Sequence, residues 1–174
     1  GEAQYKWLAG TLERSRAKFK FVFIHNLVGG LDSQGRGGAE AAGLYEWGGR
    51  DTDGTDGFKA KRPGWAEPIH ALLVRNRVSA VFHGHDHIFA RQDLDSVVYQ
   101  EVPQPGNLEA GTRRAAEYGY VNGAILGGSG YARVTVSPDK THVDYVRSKL
   151  TKDATSQHPD GEVAGVRPPS PGHD

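Results

Sequence analysis

An α/β domain is the fold class this sequence predicts, and three observations predict it. Tyr5, Leu8, Ala9 and Leu12 fall at i, i+3, i+4 and i+7, the stripe of an amphipathic helix over residues 4–17. That helix feeds straight into Phe19-Lys20-Phe21-Val22-Phe23-Ile24-His25, an aromatic and β-branched run that reads as a mostly buried strand. A second helix, over residues 68–77, leads into a second apolar strand, Val78 to His83. Helices alternating with buried strands are the signature of the α/β class.

Taken in order, the first helix shows Lys6, Glu13, Arg14 and Arg16 on its polar face. After the strand ending at His25, residues 28–64 are glycine-rich, with Asp51-Thr52-Asp53-Gly54-Thr55-Asp56-Gly57 as the most polar part. A short helix is expected over residues 39–47 and loop elsewhere. So long a connection is either a surface excursion or the rim of a site, and His25 stands directly before it. Pro68 starts the second helix without sacrificing a hydrogen bond, Ile69, Leu72 and Leu73 continue the face begun by Trp65, and Arg75 and Arg77 suit its C-terminal end. Strands are expected at residues 88–91 and 96–102, joined by a turn near Asp93 and Asp95 and stopped by Pro103 and Pro105. Residues 109–118 read equally as short helix or loop, and residues 120–126 as strand. Residues 131–136 and 142–147 form the strongest hairpin signal, with Ser137-Pro138-Asp139-Lys140 as its turn. From Thr151 the apolar content falls and proline accumulates, the composition of a disordered or surface-draped tail. Residues 1–150 therefore read as one domain portion and 151–174 as a tail.

Composition narrows the function classes. The 174 residues suffice for one domain and are too few for two sizeable ones. With 21 Lys+Arg against 21 Asp+Glu the formal net charge is zero, which argues against an electrostatic binder of nucleic acid or of an anionic membrane. No long apolar run offers a membrane-spanning helix. There is no Cys, so disulfides, thiolate ligands and cysteine nucleophiles are excluded. There is also no Met, so Gly1 reads as a processed or cleaved end with no signal peptide to interpret, and the compartment stays open.

The residues with chemistry converge on a metal. His85 and His87 stand two apart in Gly84-His85-Asp86-His87, just past a buried strand. Their rings converge only on an irregular backbone, which Gly84 favours. His25 ends what should be a neighbouring parallel strand, and ligands of open α/β sheets collect beyond the carboxyl ends of strands. Neutral imidazole is a donor for zinc, iron, nickel or manganese. His83 reads as a structural histidine that orients a neighbour, and His70, His142, His158 and His173 as helix, strand and tail residues. Gly127-Gly128-Ser129-Gly130 lacks the Lys-Ser/Thr and helix of a phosphate-binding loop and reads as a turn. No Gly-x-Ser-x-Gly elbow supports a serine nucleophile. Glu46, Asp51, Asp53 and Asp56 suit a solvated loop, and Asp51 to Asp56 misses the spacing of a helix-loop-helix calcium site.

The string Val81-Phe82-His83-Gly84-His85-Asp86-His87 resembles the last metal-binding motif, Gly-His-x-His, of the calcineurin-like metallophosphoesterases, and Phe21-Val22-Phe23-Ile24-His25 resembles the strand and histidine of the motif before it. Together with Gln4-Tyr5-x-Trp7-Leu8, the run over residues 4–91 is most similar to the purple-acid-phosphatase-like branch. The resemblance implies half of a four-layer α/β/β/α sandwich with mixed sheets. It implies a two-metal hydrolase of phosphomonoesters or phosphodiesters, using iron, zinc or manganese, in which His25 and His85 hold one ion and His87 the other. Two such ions share the phosphate charge and supply hydroxide near neutral pH.

The family's earlier motifs, Asp-x-His, Gly-Asp-x-x-Asp and Gly-Asn-His-Asp/Glu, have no counterpart in the 24 residues before His25, and Asn26-Leu27 follows that histidine where His-Pro is frequent. The chain thus resembles the C-terminal half of such an enzyme. Its expected partners are the missing N-terminal half and a phosphoester, with self-association through an exposed edge or apolar face, and it should be catalytically poor alone. The alternative is a non-enzymatic structural or interaction module with a vestigial or single metal site. On either reading His25, His85 and His87 should lie close together at the carboxyl ends of parallel strands, and His70 and His142 elsewhere.

Overall fold

The computed structural model describes residues 1–27, 35–106 and 111–164. A 13-residue helix, α1 (Glu2–Arg14), opens the chain and ends where Ser15 turns extended (φ −73°, ψ 126°), earlier than the apolar stripe predicts. The first strand, β1 (Phe21–Phe23), is shorter than expected, but its pairing outlasts it. Ser79 N–H donates to the Lys20 carbonyl at 2.9 Å, and Ile24 N–H to Phe82 O at 3.0 Å.

The short helix expected over residues 39–47 is split in two. A 3₁₀ segment, Ala39–Gly43, is followed by α2 (Tyr45–Gly48), with Leu44 extended between them. Leu44 is pulled straight by a bridge to Arg50, and the two turns touch so closely that a Cβ on Gly48 would lie 2.1 Å from the Gly43 carbonyl carbon. The acidic stretch is folded back on itself: Asp53 accepts from Thr55, Asp51 pairs with Lys61, and Asp56 accepts the Phe58 N–H just before a one-turn helix, α3 (Phe58–Lys61), where loop was expected. The second predicted helix is present as α4 (Ile69–Arg75), its Ile69, Leu72 and Leu73 buried.

Strands β2 (Ala80–His83), β3 (Phe89–Leu94), β4 (Val97–Glu101) and β5 (Ala124–Leu126) join β1 in a mixed sheet of order β1-β2-β4-β3-β5. β1, β2 and β4 run parallel, while β3 is antiparallel to both β4 and β5. The β3–β4 turn is Asp95-Ser96, both at positive φ (48° and 68°), the two-residue geometry that matches strand twist. Of the strand expected over residues 120–126 only the last part pairs, because Gly123 takes φ 94°. Residues 113–119 form turns, and residues 109 and 110 lie outside the described residues. β6 (Gly130–Val136) and β7 (Thr141–Arg147) make the predicted hairpin as a separate sheet. The start of the tail lies along β7: Ala164 N–H donates to Tyr145 O and Arg147 N–H to Glu162 O, both at 2.9 Å. Residues 165–174 of the expected tail lie outside the described residues.

Register sorts the side chains into two faces. Val22, Val81 and Tyr99 are cross-strand neighbours, as are His83 and Glu101, and this face packs under α1, α2 and α4 in the main core with Leu12, Trp47, Leu72 and Leu73. Phe23 and Phe82 stand on the opposite face, toward the hairpin, where Phe89 stacks on Tyr145 with ring centroids 4.8 Å apart. Helices, mixed sheet and hairpin thus lie in succession in a mixed α/β domain. No helix among the described residues is long and apolar enough to cross a membrane.

Candidate functional site

The parallel pairing of β1 with β2 brings their carboxyl ends side by side. Gly84 N–H donates to the His25 carbonyl at 2.7 Å, extending the ladder past both strands. His25 and the loop leaving β2 are therefore held by backbone. His25 Nε2 lies 3.2 Å from His85 Nδ1, and the rings meet nearly edge-on, centroids 5.2 Å apart and planes 82° apart. The irregular backbone this convergence needs is supplied by the histidines themselves rather than by Gly84: His85 has φ 96° and His87 φ 62°. Non-glycine residues reach that region at a cost of about 1–3 kcal/mol each and persist there only when their surroundings hold them.

The surroundings are polar and buried. Asp86, between the two histidines, accepts Arg36 Nη1 at 2.9 Å on one carboxylate oxygen, and Gly37 N–H at 3.0 Å and the Tyr120 hydroxyl at 2.9 Å on the other. Its own N–H donates to Glu101 Oε1 at 2.9 Å. Burial first, then the Glu101 and Asp86 carboxylates, raise the Tyr120 hydroxyl far above its ordinary value, so it remains a proton donor. His83, 2 % exposed, stacks parallel to Tyr120. Its Nδ1 is 2.7 Å from Glu101 Oε2, yet neither atom has an aligned hydrogen bond, so this is a close contact off the hydrogen-bonding direction.

The histidines divide as follows. His25 and His85 are brought together, with His25 and His87 both exposed, but the expected gathering of all three is not seen: no group of three or more His, Asp or Glu side chains is placed to share an ion among the described residues. His70 lies elsewhere, bonded to Tyr99 at 2.7 Å and Asp95 at 2.9 Å, and His142 pairs with Asp144 at 2.8 Å. His158 contacts Glu162, and His173 lies outside the described residues. In the glycine turn at 127–130 it is carbonyls that are engaged, by the Tyr145 hydroxyl and Arg147, which is the wrong polarity for cradling phosphate.

The donor chemistry of the close pair fits an ion. The two rings hydrogen-bond each other directly at 3.2 Å, a span close to the roughly 3.3–3.4 Å between two nitrogens bound at the usual 2.0–2.1 Å to one tetrahedral zinc. The other nitrogen of the second ring, His85 Nε2, is buried and without a hydrogen bond. Beside the pair runs an open groove of about 490 Å³, lined by Phe23, His25, Phe82, Val102 and Val134 among others. Asp86, Glu101, Tyr120 and Arg36 were not singled out from the sequence. Gln100-Glu101 inside an otherwise apolar strand was the available signal, since a charged residue in a buried run is retained when it is bonded. Comparison with protein-family models and with curated protein sequences gives no match.

Proposed function

We propose that the chain is the C-terminal part of a metal-dependent phosphoester hydrolase, acting on phosphomonoesters or phosphodiesters. The observation that carries this reading is the approach of His25 Nε2 to His85 Nδ1, 3.2 Å, at the carboxyl ends of adjacent parallel strands. His25 and His85 hold one ion of zinc, iron or manganese. His87, exposed on the same loop, would serve a second ion completed by carboxylates from the N-terminal part of the same protein. Bound ions would neutralise phosphate charge and supply the nucleophile. The chain itself holds the two rings in place through the Gly84–His25 backbone bond and offers the apolar groove to the organic portion of the ester.

Cobalt titration of the chain, followed by absorption and calorimetry, tests the site. His25→Ala and His85→Ala should each weaken binding at least tenfold, while His87→Ala should leave the pair's affinity nearly unchanged. Equal losses at all three would replace the divided arrangement with a single three-histidine site, and no loss at either His25 or His85 would remove the site altogether. Aryl phosphate and aryl phosphodiester assays then test completeness. The chain alone should turn over far below about 1 s⁻¹, the lower end of ordinary enzymes, and its complex with the N-terminal part should restore chelator-sensitive hydrolysis.

A further inference from the structure

Glu101 closes β4 with no exposure to solvent. A carboxylate enclosed in that way is unfavourable unless its oxygens are engaged. One of them is engaged at a telling place: Oε1 accepts the Asp86 N–H, the amide between the two left-handed histidines. Arg36, Gly37 and Tyr120 all grip the Asp86 side chain. Among these contacts the one from Glu101 is the one that grips the backbone of the turn. Glu101 is also well placed to be rigid, since β4 is paired on both sides, with His83 of β2 and Ala90 of β3 opposite Glu101 itself.

We propose that Glu101 is a positioning residue: by accepting the Asp86 amide it holds the His85-Asp86-His87 turn in its strained conformation and so aims the His85 ring at His25. The metal arm of the test below rests on the proposed function; the geometric arm does not. An outer partner that orients a ligating histidine typically contributes 10- to 100-fold to metal affinity. Here the influence runs through the backbone rather than through the ring.

Two substitutions separate the acceptor from its packing. Glu101→Gln keeps an oxygen for the amide, whereas Glu101→Leu keeps the approximate volume and removes the acceptor. In the metal-free chain, NMR reads the Asp86 amide exchange rate and the proximity of the His25 and His85 rings, and cobalt titration then reads affinity. For E101L the expected result is amide exchange faster by at least roughly tenfold, loss of the ring-to-ring contact, and affinity lower by about 10- to 100-fold. E101Q should restore all three. A folded E101L that keeps slow exchange and the ring contact overturns the proposal. If E101L does not fold, an ester in place of the Asp86 amide deletes the donor and leaves Glu101 packed, and the ring contact should again be lost; its retention overturns the proposal. Loss of the contact in a chain whose wild type binds no cobalt defeats the metal reading and leaves the positioning role standing. Cobalt binding indifferent to E101L defeats the positioning role alone.

Discussion

The Tyr99 hydroxyl accepts the Trp47 indole N–H at 2.8 Å and lies 2.7 Å from His70 Nδ1, and His70 Nε2 continues to Asp95 at 2.9 Å. Trp47 and Tyr99 are essentially fully buried, so each polar atom in this chain of contacts needs its neighbour. Tyr99→Phe leaves the indole N–H and His70 Nδ1 without partners, while His70 Nε2 keeps Asp95, and should cost about 1–3 kcal/mol in urea unfolding. The same hydroxyl gives a pH signature. Burial raises the Tyr99 hydroxyl above its ordinary range, and burial with the neighbouring carboxylates does the same to Tyr120. A raised pKa in the fold means that the unfolded chain loses the proton first. This stabilisation is therefore complete below about pH 10 and is lost as pH rises above it. Urea unfolding from pH 8 upward should show that decline, shallower in Tyr99→Phe; an equally steep decline in the variant would show that Tyr99 does not carry it.

Among the elements, the β3–β4 turn joins local strain to a tertiary contact. Asp95 and Ser96 both take positive φ, where turns of this type favour Asn and Gly. Asp95 gains the His70 contact from that conformation, while Ser96 gains nothing the structure shows. Ser96→Gly should therefore stabilise by about 0.5 kcal/mol, the relief of roughly 1–2 kcal/mol of strain less the added freedom of the unfolded chain, roughly 0.4–1 kcal/mol. Paired denaturation curves check it, and a destabilised variant would mean that Ser96 holds the turn in some other way. The turn also shows what a sequence hides. Placing it near Asp93 and Asp95 came from polarity, but β3 runs on to Leu94, because its pairing with β4 extends as far as Leu94 opposite Val97.

At the scale of the molecule, β1 is an edge strand of the described sheet, and apolar side chains crowd near it: Phe23 is 73 % exposed and Trp7 64 %. Phe23 stacks on Phe82 at 5.1 Å and borders the groove whose other wall holds Val134, itself 38 % exposed. An edge with unpaired backbone and an apolar rim is a template for association. The chain by itself should self-associate in sedimentation experiments, and Phe23→Lys should shift it toward monomer. A wild-type monomer at high concentration would show that the hairpin and helices protect this edge sufficiently.

Periodicity is a local property, and it sufficed for α1, α4, β2 and the β6–β7 hairpin, whose apolar spacing allows one conformation each. The placing of His25 and His85 at the ends of two neighbouring strands was legible for the same reason, since each follows a short buried run. Where a residue's conformation depends on a distant partner, local pattern is silent. Leu44 is extended because Arg50 bridges to it, dividing an expected helix, and His85 and His87 turn left-handed in a loop whose Asp86 amide meets Glu101, fifteen positions away along the chain. The sequence by itself determined the two main helices, the principal strands and the hairpin, and which histidines stand at strand ends. Tertiary structure alone decided how the turn carrying His85 and His87 is held, because its Asp86 amide meets a buried carboxylate whose position is set by strand register rather than by spacing.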